Sequence, residues 1–296
     1  MSLIETMDGV DVEHRDILTN GIRLHCALAG PEEGPLVIAL HGFPEFWRGM
    51  AGTMVALARA GFRVVAPDQR GYGTSEKPEG IDAYRIEEIS ADAAGLVAAL
   101  GRDRAFVVGH DWGAAVAWWL GLTRPDLVEK LVVANVPHPS VFAREVKGNK
   151  KQLRKSWYIF AIQAPWLPER LAFGKRTRGR FARTIAKTGN PGSFDARYLE
   201  QLEDAWSHPG AGTGMMNWYR ASVRRRPERL ADKRVHVPTL IIWGRRDVAL
   251  SDTMEEPSAA LCDDVRVEFF DDATHWVLHD EPERTSRLIV DFLSAP

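Results

Sequence analysis

The residues Gly109-His110-Asp111-Trp112-Gly113 follow directly on the apolar run Phe106 to Val108 and open an Ala-rich segment with helical propensity. Gly-x-Asp-x-Gly between a strand and a helix has the spacing of a nucleophile elbow, a sharp turn that presents one side chain above a sheet. Here the presented group is a carboxylate. With a reference pKa of about 3.9 it is ionised at neutral pH, so it needs no base for a first attack. On an acyl carbon it would form a labile anhydride; on a saturated carbon bearing a leaving group it forms a stable alkyl ester. Epoxides and organohalides are the electrophiles that suit it.

Hydrolysing such an ester requires a base and a partner to orient it, and the chain offers both in the right order. Asp247 ends Gly244-Arg245-Arg246-Asp247 after the apolar run Leu240 to Trp243, and His275 lies in Asp271-Asp272-Ala273-Thr274-His275-Trp276 after Glu268 to Phe270. The sequence nucleophile, acid, histidine is that of a catalytic triad in which His275 activates water and Asp247 holds its tautomer. His279 competes with His275 for the role of base, and Asp271 or Asp272 with Asp247 for that of the acid. His41-Gly42-Phe43-Pro44, after another short apolar run, could aim the Phe43 N–H at the site; with the Trp112 N–H it would make an oxyanion hole.

Each of these groups lies in a loop just beyond a short run that reads as a strand, so the elements that position them are strands. Val10 to Ala29 reads as two strands around Asn20-Gly21, whose residues tolerate the positive φ of a tight hairpin. Strands are expected at Leu36 to Leu40, Phe62 to Ala66, Phe106 to Val108, Lys130 to Ala134, Thr239 to Trp243 and Val265 to Phe270. Helices are expected up to about Ala60, over 86 to 100, after Trp112, around 251 to 262, and from Pro282 to Leu293. Alternating strands and helices imply a mostly parallel, doubly wound sheet, in which ligands bind beyond the carboxyl ends of the strands. Residues 138–235 break the alternation with helical stretches and no convincing strand. They read as a helical cap inserted in a core built from 1–137 and 236–296.

Composition adds limits. At 45% hydrophobic and 26% charged residues the chain is an ordinary globular protein. Residues 139–235 hold 21 Lys or Arg against 8 Asp or Glu, a net of +13, which leaves −15 for the rest. A basic cap could attract an anionic substrate, a membrane surface or nucleic acid, but no nucleic-acid motif accompanies it and a solvated helical surface is the simpler reading. Cys26 and Cys262 fit no metal-ligand spacing and read as reduced core thiols. No metal cluster or cofactor loop is expected, nor any membrane insertion; the N-terminus lacks a secretory pattern, and a cytoplasmic location is expected.

Beyond the residue-level reading, the chain resembles the epoxide hydrolases of the α/β-hydrolase superfamily. The resemblance rests on His41-Gly42-Phe43-Pro44-Glu45-Phe46-Trp47, Pro67-Asp68-Gln69-Arg70-Gly71-Tyr72-Gly73, the elbow, Asn135-Val136-Pro137-His138-Pro139 and Asp272-Ala273-Thr274-His275-Trp276. It implies an α/β-hydrolase fold, a cis Phe43-Pro44 peptide, and two cap tyrosines, Tyr158 and Tyr219, that donate protons to an epoxide oxygen. Phenols with a pKa near about 10 are suited to that work, since they remain protonated at neutral pH. The implied reactants are a small apolar epoxide and water, giving a diol without a cofactor, and a homodimer is possible. Phe43, Trp112, Trp157 and Trp218 are expected to contact substrate, with Trp166, Trp206, Met215 and Met216 as further apolar wall.

Two other readings remain open. A haloalkane or haloacid dehalogenase would share the alkyl-ester route, but Phe43 stands where the former typically place Asn, and Trp112 where fluoroacetate dehalogenases place Arg. A ligand-binding, receptor-like member of the fold would keep the pocket and turn over little.

Overall fold

Leu36–Leu40 (β4) is apolar and buried at every position, the pattern of a strand covered on both faces. In the computed structural model, which describes residues 3–296, it lies at the middle of a nine-stranded sheet ordered β1-β2-β3-β5-β4-β6-β7-β8-β9. The strands are β1 Leu3–Met7, β2 Val10–Thr19, β3 Ile22–Ala29, β4, β5 Arg63–Pro67, β6 Ala105–His110, β7 Val128–Ala134, β8 Thr239–Gly244 and β9 Val265–Phe270. The β1–β2, β2–β3 and β3–β5 pairs are antiparallel, and every later pair is parallel.

Helices α1 (Ala51–Arg59), α2 (Ile86–Ala99) and α3 (Trp112–Thr123) connect the first parallel strands. Between β7 and β8 come seven helices: α4 (Pro139–Gly148), α5 (Lys150–Lys155), α6 (Trp157–Ala161), α7 (Leu167–Phe173), α8 (Arg178–Ala186), α9 (Ala196–Ala205) and α10 (Ala211–Arg224). Helices α11 (Glu255–Ala259), α12 (Val277–Asp280) and α13 (Pro282–Ser294) complete the chain. The chain reverses direction along the sheet at β4, whose neighbours are β5 and β6. Register pairs Leu40 with Gly109, so the loops leaving β4 and β6 emerge side by side at the switch point where such sheets bind ligands.

Two local features depart from the expected pattern for identifiable reasons. The edge strand β1 carries little sequence signal, because Leu3 and Ile4 are solvent-exposed and its alternation is weak; its turn at Asp8-Gly9, with φ of 48° and 78°, repeats the geometry of Asn20-Gly21. The helix expected around 251 to 262 is present but shorter: a 3-10 turn, Asp252–Met254, leads into α11, which ends at Ala259. Pro257 has no N–H to donate and sits in the first turn of α11, where none is needed. Cys26 and Cys262 are free and buried. No helix among the described residues is long and apolar enough to cross a membrane.

Candidate active site

Asp111 caps α3 in the conformation φ 49°, ψ −121°, a sparsely populated region for a residue with a side chain. The positive φ thus falls on Asp111 itself, and the neighbouring glycines serve close approach instead. A Cβ on Gly113 would lie 2.0 Å from the Leu40 carbonyl oxygen, and one on Gly42 would lie 2.4 Å from the Asp111 Cβ. The carboxylate can reach its position only because both are absent.

Three strand ends converge there. Asp111 Oδ1 accepts the Phe43 N–H at 2.7 Å, while Oδ2 stands 3.4 Å from His275 Nε2. On its other side the imidazole Nδ1 lies 2.8 Å from Asp247 Oδ2. The Trp112 N–H, expected to share the oxyanion hole, makes no hydrogen bond to Asp111 among the described residues, and the Phe43 amide alone holds Oδ1. The Phe43-Pro44 peptide is cis.

Asp247 is enclosed by donors. Its Oδ1 accepts the backbone N–H groups of Ala249 at 2.7 Å and Leu250 at 2.9 Å, and its Oδ2 also accepts Asn135 Nδ2 at 2.8 Å. Burial raises the carboxyl pKa, but the facing imidazolium and these hydrogen bonds hold it below the usual range. Burial likewise disfavours a charged His275, yet the charge of Asp247 and hydrogen bonds to Asp111 and Asp247 lift its pKa well above the ordinary histidine value. In the free protein, therefore, the His275 imidazole lies between two carboxyl groups, which favour its protonated form.

The competitors are accounted for elsewhere. His279 donates to Glu45 at 2.6 Å, and Asp271 pairs on the surface with Arg245 at 2.8 Å. Asp272 accepts through its backbone carbonyl, from Asn190 at 2.8 Å and Arg246 at 3.4 Å.

A cavity of about 550 Å³ lies over Asp111 and Trp112, walled mainly by apolar residues including Ile89, Phe142, Ile159 and Trp218. Tyr158 from α6 and Tyr219 from α10 line the same cavity, their ring centres 5.8 Å apart. Tyr219 also packs edge-on against Trp112 at 5.1 Å and Phe43 at 5.0 Å. Burial first, and then the charge of Asp111 among other neighbours, raises both phenol pKa values well above the usual tyrosine range, so both remain protonated donors.

Arg220, buried beside Tyr219, joins the two tyrosine-bearing segments. It donates to the carbonyls of Ile162 at 3.1 Å and Ala164 at 2.8 Å, just beyond α6, and pairs with Glu169 at 2.6 Å. Trp218 anchors α10 to the core through its indole N–H, donated to the Arg70 carbonyl at 3.0 Å.

Not every expected wall residue is there. Trp157 is 67% exposed and stands beside Lys150, Lys151 and Arg154 outside the cavity, because α6 turns its neighbour Tyr158 inward. Trp166 is 65% exposed. Trp206 is buried against Pro44, and Met215 and Met216 are core; none of these three lines the cavity. The Phe43 ring packs on Tyr219 and Phe173 without joining the cavity wall.

Residue-level reading also passed over groups that the site uses. Asn135 ties β7 to both Asp247 and Gly244, whose N–H it accepts at 3.1 Å. Its signal was available: it directly follows a strand, as Asp111 does. Glu45, fully buried, accepts from His279 and the Tyr198 hydroxyl and faces His110 at 3.4 Å; His110 in turn bonds the His275 carbonyl at 2.8 Å.

A family model described as the alpha/beta hydrolase fold matches residues 35–282. The AB hydrolase superfamily protein YfhM of Bacillus subtilis is 42% identical over 97% of this chain and 99% of its own length. Epoxide hydrolase 1 of Caenorhabditis elegans is 35% identical over 95% of this chain and 70% of its own. Among solved structures, the epoxide hydrolase of Bacillus megaterium in complex with an inhibitor superposes with a TM-score of 0.85 at 27% identity, covering 95% of this chain and 100% of that one. These relatives favour epoxide hydrolysis over the dehalogenase and receptor-like readings. The chain belongs to the epoxide hydrolases of the α/β-hydrolase superfamily, hydrolases that act on ether bonds.

Proposed function

We propose that the chain converts an apolar epoxide to a vicinal diol in two covalent steps. In the first, Asp111 Oδ2 forms a bond to a ring carbon as the ring carbon–oxygen bond breaks, and the oxygen takes a proton from Tyr158 or Tyr219. The product is an alkyl ester of Asp111. In the second, His275 removes a proton from water, which attacks the ester carbonyl. The Phe43 N–H receives the developing charge on Oδ1, which it already holds in the free protein at 2.7 Å. The tetrahedral intermediate then expels the diol and restores the carboxylate.

The protonation of His275 fits this order. While Asp111 is ionised it helps to keep the imidazole protonated. Esterification removes that charge, so the pKa of His275 falls as the ester forms, and the released proton restores the phenol. The base is thereby made ready only when there is an ester to hydrolyse.

The observation that carries this reading is the meeting of the Asp111 carboxylate with two phenols, one buried and one partly buried, in one apolar cavity. Halide departure needs no acid, whereas an alkoxide does. Mixing the His275→Ala variant with styrene oxide and taking its intact mass tests the scheme. One added substrate mass per chain is expected; an unmodified mass alongside full conversion to diol contradicts it.

A further inference from the structure

We propose that the outer face of α5 and α6 is a docking surface for an anionic lipid bilayer. The attachment is argued from this surface and does not depend on the reaction chemistry above. Trp157, Val248 and Leu153 are 67%, 55% and 42% exposed. Trp157 and Val248 surround one surface depression together with the side chains of Lys150, Lys151 and Arg154. None of those three cations has an acidic partner among the described residues. Lys155, which also borders the depression, is instead committed to the carbonyls of Asp247 at 2.8 Å and Leu250 at 3.2 Å.

Single exposed apolar residues need no explanation, but a tryptophan ringed by unpaired cations has a specific one. An indole settles at the level of the lipid headgroups, and each adjacent Lys or Arg gains from an anionic leaflet. Phe160 adds position to chemistry. It lies one helical turn beyond Trp157, is 53% exposed, and also lines the 550 Å³ cavity, so the patch adjoins the cavity's mouth. A second copy of the chain is the less suitable occupant, since a two-fold interface through this face would oppose Lys150, Lys151 and Arg154 to themselves. An anionic bilayer complements the same charges, and it is where an apolar solute collects.

The test is co-sedimentation of the full chain with phosphatidylcholine vesicles, with and without a phosphatidylglycerol fraction. The protein is expected to bind the mixed vesicles, to remain in solution with phosphatidylcholine alone, and to be released by salt. In the triple variant Lys150→Gln, Lys151→Gln, Arg154→Gln, partition should fall on the order of a hundredfold, since each basic residue near the surface contributes roughly fivefold. Hydrolysis of a dissolved epoxide should be unchanged, which shows the variant is folded. If the triple variant is inactive, Trp157→Ser decides by the same partition, which it should lower. The proposal is overturned if the parent chain stays in solution with mixed vesicles, or if the variants bind as it does. It is equally overturned if light scattering finds a dimer that Trp157→Ser turns into a monomer.

Discussion

Replacing Asp247 by Asn separates the two chemical steps, and the donors around the carboxylate show how. Four N–H groups reach its two oxygens: His275 Nδ1, Asn135 Nδ2, and the amides of Ala249 and Leu250. A carboxylate accepts all four; an amide brings two donors of its own. Its oxygen will turn to the two backbone amides, which cannot rotate away, and its NH₂ will face His275 and Asn135. His275 must then accept at Nδ1 and carry its proton on Nε2, the nitrogen that should take a proton from water.

A wrong tautomer of this kind costs about 10⁴-fold in rate, or roughly 5.5 kcal/mol of barrier in the hydrolytic step. Ring opening uses Asp111 and the phenols and should slow by no more than about tenfold, ~1.4 kcal/mol. The unsatisfied Asn135 donor should also lower stability by about 1–3 kcal/mol. The assay is rapid mixing with excess styrene oxide, followed by intact mass in the first seconds and diol formation over hours. Near-stoichiometric adduct with almost no turnover is expected. Turnover within tenfold of the parent, with no adduct, would refute the assignment of Asp247 as the group that orients His275.

Two further outcomes follow from the same geometry. Tyr158→Phe or Tyr219→Phe should slow ester formation by about 10²-fold each, the range for loss of a positioned acid, and the double variant should accumulate no adduct; single-turnover mass measurement checks this, and an unchanged rate in the double variant would exclude the phenols as acids. For Glu45, burial raises the carboxyl pKa, but the His279 and His110 charges and hydrogen bonds bring it well below the usual range. A depressed carboxylate contributes stability that is fully present above its unfolded pKa of about 4.3 and is lost as pH falls through the folded value. The Tm deficit of Glu45→Gln should therefore be full near neutrality and shrink only in acid below that value; a deficit that grows on acidification would contradict the assignment.

What could be read from residues alone follows a physical division. The strand core was legible because runs such as Leu36–Leu40 and Leu240 to Trp243 are apolar throughout, and the elbow because its spacing demands a turn. The direction of side chains on a short helix was not. Helix α6 spans Trp157–Ala161, and adjacent residues on it point about 100° apart, so Trp157 faces solvent while Tyr158 faces the cavity. Composition treats the two alike. Roles that depend on long-range partners were hidden for a similar reason: Asn135 meets Asp247 across 112 residues, and Tyr198 meets Glu45 across 153. The choice among Asp247, Asp271 and Asp272 likewise needed three dimensions, because all three follow a strand.

The claim on which the rest depends is that Asp111 bonds to carbon before water does. A single turnover in ¹⁸O-labelled water, with enzyme in excess over epoxide, tests it directly. Water that attacks the ester carbonyl leaves its oxygen on the carboxylate, so the first diol released should carry no label, and the peptide containing Asp111 should gain one heavy oxygen. Label in that first diol with none in the Asp111 peptide would mean that water opens the ring itself, and would contradict the account.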